Sequence, residues 1–417
     1  MLISFLKYTI ILAIGVLIMA KVMAVNAGSS SLKFKLYEMP EEKVLCSGNA
    51  ERIGHEDAIF GIKWGGESEK KILPILDHAR AVELVVQAML EKGIVKDMNE
   101  IKAVGHRIVQ GGKYFSHSEL FNKDTEDKIE SLIPLAPLHN KAHLVGFRAF
   151  KKILPDVTNV AVFDTAFHQT MSEEDYVFPI PYEFTEKYDC RRYGAHGTSH
   201  KYLSEMGLKY LPGVKHPRII SCHIGSGASI TAIKDGKCVA TSMGLTPLGG
   251  IMMGTRTGDL DPSVMNYLCK CTGKSVEEMY QIFNKQSGFL GVSGISNDSR
   301  DVLAACDKGD KRAILANKLF IRRIADYIGQ YFVRLGGADL IIFSAGIGEN
   351  SARTREEVCD AIGTAMKVVI DKGLNASIHS KEALISKPES AIKVAIIPTD
   401  EEVMIARDTY SFYLKDK

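Results

Sequence analysis

Ala24-Val25-Asn26-Ala27-Gly28-Ser29-Ser30-Ser31-Leu32-Lys33-Phe34 runs from an apolar strand through a Gly/Ser turn into a second strand. Ser221-Cys222-His223-Ile224-Gly225-Ser226-Gly227-Ala228-Ser229-Ile230-Thr231 has the same build, with Gly28 and Gly225 in step. Strand, small-residue turn and strand make a hairpin whose tip offers backbone N–H groups and hydroxyls. No side chain at such a tip blocks the close approach of a phosphate. Two of these hairpins in one chain predict a duplicated fold with a nucleotide between the halves.

Outward from the hairpins, strands alternate with helices, which is the pattern of an α/β protein. A charged, Gly-containing stretch follows the first hairpin. His78–Lys92 reads as a helix with Val82, Val85, Val86 and Met89 on one face. Ile101–Arg107 is a buried-type strand leading to Gly111-Gly112, Lys141–Leu154 is helical, and Val157–Phe163 is a strand. A Pro- and aromatic-rich connection, Phe178–Tyr193, leads to the strand Arg218–Ile224. Ala313–Leu335 has a helical period through Ile321, Ile324, Ile328, Phe332 and Leu335, closed by Gly336-Gly337. Strand Asp339–Phe343 meets a turn at Gly346-Ile347-Gly348, which leads through Glu349-Asn350 into a helix. Strand Lys393–Ile397 precedes a final helix.

A chain of 417 residues is too long for one ordinary core. The expected division is 19–165 completed by about 398–417, and 166–397. Apolar residues at 46% and charged residues at 24% are ordinary globular values, and the formal net charge is +2. No basic run or aromatic–basic interleaving marks a nucleic-acid surface. Eight cysteines without a C-x-x-C pair fit free thiols in a reducing cytosol. The start differs: Tyr8–Ala20 carries no charge. It is short of the roughly 20 residues of a membrane span, and a secreted home suits neither the thiols nor a nucleotide site. Residues 1–18 therefore read as upstream sequence outside the fold, with the working chain starting at Met19 or Met23.

Common nucleotide motifs fail. Gly273-Lys274-Ser275 ends like a Walker A loop, but its first glycine would fall at Leu268. Gly225-Ser226-Gly227 and Gly346-Ile347-Gly348 each lack the third glycine of a dinucleotide fingerprint. What remains is a set of Gly turns at strand ends, where open α/β sheets bind ligands. Polar residues gather there: Arg107, Asp164, Arg191-Arg192, His196, and Arg256 within the Gly-rich Gly249–Asp259. Arg forks suit carboxylate and phosphate oxygens, and carboxylates such as Asp164 and Glu401 suit Mg²⁺. His168 and His200 read as hydrogen-bonded structural residues.

From about Val22 to Thr409 the chain resembles the acetate kinase family, also called the acetokinase family. The matching motifs are Asn26–Lys33, Gly105-His106-Arg107, Phe163–His168, Tyr193-Gly194, His196–His200, Met253–Asp259 and Ala345–Asn350. The resemblance implies two duplicated ribonuclease-H-like domains of the actin-like ATPase kind with an interdomain cleft, a cytoplasmic homodimer, and Mg²⁺-dependent transfer from ATP to acetate, giving acetyl phosphate and ADP. Mn²⁺ is the alternative metal. It assigns Asn26 and Glu401 to the metal and Lys33 to ATP phosphate. His223, Ile224, Gly225, Ser226 and Gly227, with Gly346, Ile347, Gly348, Glu349 and Asn350, would form nucleotide and phosphate loops. Asp298, Ser299 and Arg300 would lie by the adenosine. Arg107 would bind the acyl carboxylate, and Val109, Leu138, Ala195 and Pro247 would line the acyl pocket. Asp164, His196 and Arg256 would be catalytic.

Three positions depart from the family pattern: Ser226 stands where Asn is usual, Gln110 where His is usual, and Ala195 where Phe is usual. The last predicts a larger acyl pocket and, as the alternative activity, a propionate or butyrate kinase. A non-enzymatic ATPase-fold module is the competing class, and it would not need two Arg and a His around a small apolar pocket.

Overall fold

The computed structural model describes residues 18–137 and 139–416. The chain forms two compact units, the first combining the residues up to Ala166 with those from Asp400 onward, the second Phe167–Thr399.

In the first unit, strands β1 (Ala20–Ala27), β2 (Ser31–Met39), β3 (Lys43–Glu51), β4 (His55–Trp64), β5 (Glu67–Ile75), β6 (Ile101–Ile108), β7 (Glu119–Leu120) and β8 (Thr158–Phe163) form one sheet, ordered β5-β4-β3-β2-β1-β6-β8-β7. β1 pairs antiparallel with β2 and parallel with β6, and β6 runs parallel to β8. Apolar Val25, Phe34 and Val104 pack in one core with the helix His78–Glu91, which Asp77 caps by accepting from the Arg80 N–H. Phe150 of the helix Asn140–Ile153 joins that core. The helix Glu401–Lys415 packs against β1, β6 and β8.

The charged stretch after the first hairpin is a three-stranded antiparallel meander, β3–β5. Its alternation is masked in sequence because the exposed face carries Lys and Glu while Ala50, Ala58, Phe60 and Ile62 turn inward.

In the second unit, β9 (Arg218–Ile224), β10 (Ala228–Lys234), β11 (Lys237–Thr241), β12 (Leu340–Ser344), β13 (Ala383–Leu384) and β14 (Lys393–Ile396) are ordered β11-β10-β9-β12-β14-β13. Three antiparallel strands pass into two parallel neighbours, as β3-β2-β1-β6-β8 do in the first sheet. The two quoted hairpins occupy the same topological position, so the expected duplication is present. The helix Lys311–Leu335 buries Phe320, Ile324 and Ile328 against one face together with Val358 and Ile362, and Leu203 packs against Ile219 and Ile342 on the other. Helices at Pro262–Thr272, Val276–Lys285, Ser299–Asp307 and Ala352–Met366 complete the unit, and a short one, Glu183–Tyr188, interrupts the Pro-rich connection.

Up to residue 17 the apolar leader lies outside the described residues. Among the described residues no helix is long and apolar enough to cross a membrane.

Gly105 sets how closely Glu401–Lys415 lies on the sheet: a Cβ there would stand 2.0 Å from Thr409 Oγ1 and 2.6 Å from Ile405 Cγ2. Gly105→Ala is therefore expected to lower stability by about 1–3 kcal/mol through overpacking. A shifted urea midpoint at unchanged m-value checks it.

Candidate active site

In the first unit two candidate side chains stand at the carboxyl ends of parallel strands. Arg107 follows Gly105 and His106 on β6, and Asp164 follows Phe163, the last residue of β8. The Arg107 Nε and Nη2 donate to Asp164 at 3.1 and 2.6 Å, a bidentate fork. Asp164 is 1% exposed. Among the described residues Arg107 Nη1 has no hydrogen-bond partner, so its two N–H donors are uncommitted.

Glu401 opens the final helix, just after its cap Asp400, which accepts from the Val403 N–H and from Lys35. Burial, with the Asp164 and Glu402 carboxylates, outweighs Arg107 and Lys33 and pushes Glu401 up to about 7. Asn26 and Lys33 are opposite one another in the β1–β2 register, so they share a face beside the tip Gly28–Ser30. That tip is closed by the Gly28 N–H donating to Ser31 O at 2.7 Å. Among the described residues no group of three or more His, Cys, Asp or Glu is gathered to hold a metal. Val109 and Gln110 are buried, and Asn140 holds the Gln110 backbone through both its N–H and its carbonyl. Leu138 lies outside the described residues.

In the second unit the tip Gly225–Gly227 is the centre. The Gly225 N–H donates to Gly227 O, and Ser226 O accepts from the Gly254 N–H. A Cβ on Gly227 would stand 3.4 Å from Arg256 Nη1 and 3.6 Å from His196 Nε2. The hairpin's lack of a side chain is thus matched by a guanidinium and an imidazole. Arg256 is half-buried, and its hydrogen bonds go to Pro247 O at 3.4 Å and Met253 Sδ at 3.6 Å. Burial pushes its pKa down, and no carboxylate pairs with it among the described residues.

His196 sits in left-handed backbone (φ +59) at the start of the helix Gly197–Gly207. Its ring stacks on His223 at 4.1 Å, and its Nδ1 meets Ser229 Oγ at 2.9 Å. His223 Nδ1 meets Ser199 Oγ, which also bonds Thr399 Oγ1. Sequence reasoning missed Ser199, Ser221, Ser229 and Thr399. For Ser221 and Ser229 the only signal was a small hydroxyl residue within an apolar strand, and Ser199, in a helix, and Thr399, beyond β14, lacked even that.

Two expectations are corrected. Gly346-Ile347-Gly348 is not a turn ahead of a helix but lies within a short helix, Ala345–Asn350. The chain reverses instead at Ala345, in left-handed backbone (φ +63). The Glu349 carboxylate folds back to accept from the Ala345 and Thr399 N–H groups. Buried Arg355, also unforeseen, donates to Gly348 O and to Asn375 and holds this segment in place. The dense Arg191-Arg192 pair is structural: Arg192 Nη1 donates to the carbonyls of Thr241, Ser242 and Met243, and Arg191 lies over the Tyr176 ring.

Asp298 caps the helix Ser299–Asp307 and pairs with Arg300. Ala195 is 3% exposed among core side chains, its carbonyl held by His168 Nε2–H. The methyl is closed off from solvent there, so it gives no independent support for a longer acid. His168 and His200 are both fully buried and hydrogen-bonded.

A family model described as the acetokinase family matches residues 21–407. The acetate kinase of Bacillus subtilis (strain 168) is 51% identical over 391 residues, covering 94% of this chain and 98% of that protein. That of Macrococcus caseolyticus is 51% identical over 395 residues, covering 94% and 99%. Among solved structures, Porphyromonas gingivalis acetate kinase superposes with a TM-score of 0.89 at 44% identity, covering 94% of this chain and 99% of that one. A propionate kinase from Francisella tularensis gives 0.88 at 41%, covering 94% and 100%. With its duplicated sheets and its motifs in family order, the chain belongs to the acetokinase family.

Proposed function

We propose that this protein catalyses reversible phosphoryl transfer between ATP and acetate, forming acetyl phosphate and ADP by direct in-line attack. The observation that carries the reading is Arg256: a half-buried guanidinium with no acidic partner among the described residues, beside His196 and a bare glycine hairpin tip. A guanidinium with so few acceptors, set against a bare hairpin tip, is suited to receive an anion.

A carboxylate is already a nucleophile at neutral pH, so the difficulty is bringing it to a polyanion. In this reading Arg107 receives the acid's carboxylate through its uncommitted donor, while Asp164 holds the guanidinium plane in place. Asp164 acts as an orienting group rather than a base. Arg256 and His196 donate to the equatorial phosphoryl oxygens, where charge spreads in the transition state. The hairpin tips at Gly28 and Gly225, with Lys33, cradle phosphates. The Asp298–Arg300 corner and the Gly346–Asn350 segment face the nucleoside. The resemblance assigns Val109, Leu138, Ala195 and Pro247 to the acyl pocket.

The buried, crowded carboxylate at Glu401 fits a divalent cation, which would offset both the burial and the carboxylate repulsion that raise its pKa. With few protein ligands gathered, Mg²⁺ would be held by Glu401 and Asn26, directly or through water, together with ATP phosphates. When bound, the metal would neutralise phosphate charge. We further read the enzyme as a cytoplasmic homodimer, in keeping with the resemblance and with the eight free thiols.

Trapping with hydroxylamine tests the reaction: ATP, Mg²⁺ and acetate should yield acetyl hydroxamate, and a panel with propionate and butyrate ranks the acids. Arg107→Ala or Arg256→Ala should lower turnover by orders of magnitude with the fold intact by circular dichroism. Normal yield from either variant defeats the assignment.

Glu401 gives a pH prediction. Its folded pKa stands above the ordinary 4.5, so the associated stability is complete below about 4.5 and is lost as pH rises through about 7. In metal-free solution, Tm of the native protein should fall over that interval more than Tm of Glu401→Gln. The same variant should lose Mg²⁺-dependent turnover.

A further inference from the structure

We propose that Ser229 is a positioning residue that fixes the tautomer of His196, so that His196 presents its N–H from Nε2, and that His200 and Ser221 set the direction of that hydrogen bond from behind. The inference rests on the reading of His196 as a donor to the transferring phosphoryl group.

The argument is one of counting protons along a buried chain. Ser221 of β9 and Ser229 of β10 are both 0% exposed, as is His200 between them. Ser221 Oγ lies 2.7 Å from His200 Nδ1. His200 Nε2 lies 2.8 Å from Ser229 Oγ, which lies 2.9 Å from His196 Nδ1. Burial, with His168 and His223 beside it, holds His200 well below its ordinary pKa, so its ring is neutral and carries one N–H.

Two directions are open. If that proton sat on Nδ1, Ser221 would accept it. The Ser221 hydroxyl proton would then be buried with no acceptor, because among the described residues Ser221 Oγ has no other hydrogen-bond partner. An unmet buried donor is costly. In the other direction every group is satisfied. Ser221 donates to His200 Nδ1, His200 Nε2–H donates to Ser229, and the hydroxyl proton of Ser229 goes to His196 Nδ1. A ring nitrogen that accepts is unprotonated, so the proton of a neutral His196 is on Nε2. That nitrogen is the one facing the Gly227 tip and standing, with Arg256 Nη1, within 4 Å of the place where a Cβ would be. A serine two groups removed from His196 thus decides which face of its imidazole is a donor.

The test uses full-length enzyme labelled with ¹⁵N-histidine and long-range ¹H–¹⁵N correlation spectra, with the His196 signals assigned by their loss in His196→Asn. The wild-type protein should show Nε2 protonated and Nδ1 bare and hydrogen-bonded. Ser229→Ala and Ser221→Ala should each show a mixture of tautomers. In Ser229→Ala, kcat should fall about tenfold or more while KM for ATP and acetate changes little, as for a donor present only part of the time. A wild-type spectrum with the proton on Nδ1 overturns the inference, and it decides the matter even if a serine variant fails to fold. Unchanged tautomer and unchanged kcat in Ser229→Ala also overturn it. Full turnover by His196→Asn would instead remove the catalytic reading of His196, leaving the tautomer result to stand or fall by its own spectrum.

Discussion

Charge without compensation is what the two units are organised around. In the second, Arg256 is kept half-buried by a backbone cage. Met253 N–H donates to Arg256 O, Gly254 is tied to Ser226, and Gly258 turns in left-handed backbone (φ +73). Among the described residues nothing acidic meets the guanidinium. In the first, Glu401 is crowded by Asp164 and Glu402, and its carboxyl holds its proton to about 7. Each arrangement is a liability for a resting protein and an asset for one that receives a polyanion with its metal. Arg107 lies between these cases, its Nε and Nη2 used by Asp164 and its Nη1 uncommitted.

The sheets explain why these groups can be held so firmly. β1 and β9 are each antiparallel to the following strand and parallel to a neighbour reached later in the chain. The tips after β1 and β9 therefore each sit beside the carboxyl end of a parallel strand. Arg107 and Asp164 end β6 and β8 in the first unit. In the second, His223 lies at the end of β9, and Glu349 ties the turn after β12 to Thr399 beyond β14. Duplication supplied two frames, and the side chains diverged. The first tip is flanked by Asn26 and Lys33, whereas the second has no charged side chain of its own and borrows Arg256 and His196.

Much of this was legible in the chain. The repeated hairpin gave the duplication, and helices such as His78–Glu91 and Lys311–Leu335 were visible because their apolar residues recur at helical spacing. The motif residues Arg107, Asp164, His196 and Arg256 could be named from resemblance. Their partnerships could not: Arg107 with Asp164 links residues 57 positions apart through a parallel pairing that no local pattern reveals. The β3–β5 meander was hidden because its lysines and glutamates obscure the period of two. The short helix at Ala345–Asn350 was hidden because Gly-Ile-Gly has turn propensity, and only the Glu349 and Arg355 contacts overrule it. The buried hydroxyls at 199, 221 and 229 were hidden because the identity of a serine does not tell which distant group its hydroxyl will meet.

The helix Glu401–Lys415 lies on β1, β6 and β8, yet it follows the whole of Phe167–Thr399 in the chain. On a translating ribosome, the face of the first sheet that awaits it stays bare while more than half of the polypeptide is still to be made. The sheet that begins first is thus finished last. Until then Ala24, Gly105 and their neighbours form an apolar surface open to chaperones or to sticking, and the close seat at Gly105 makes this the last joint to shut.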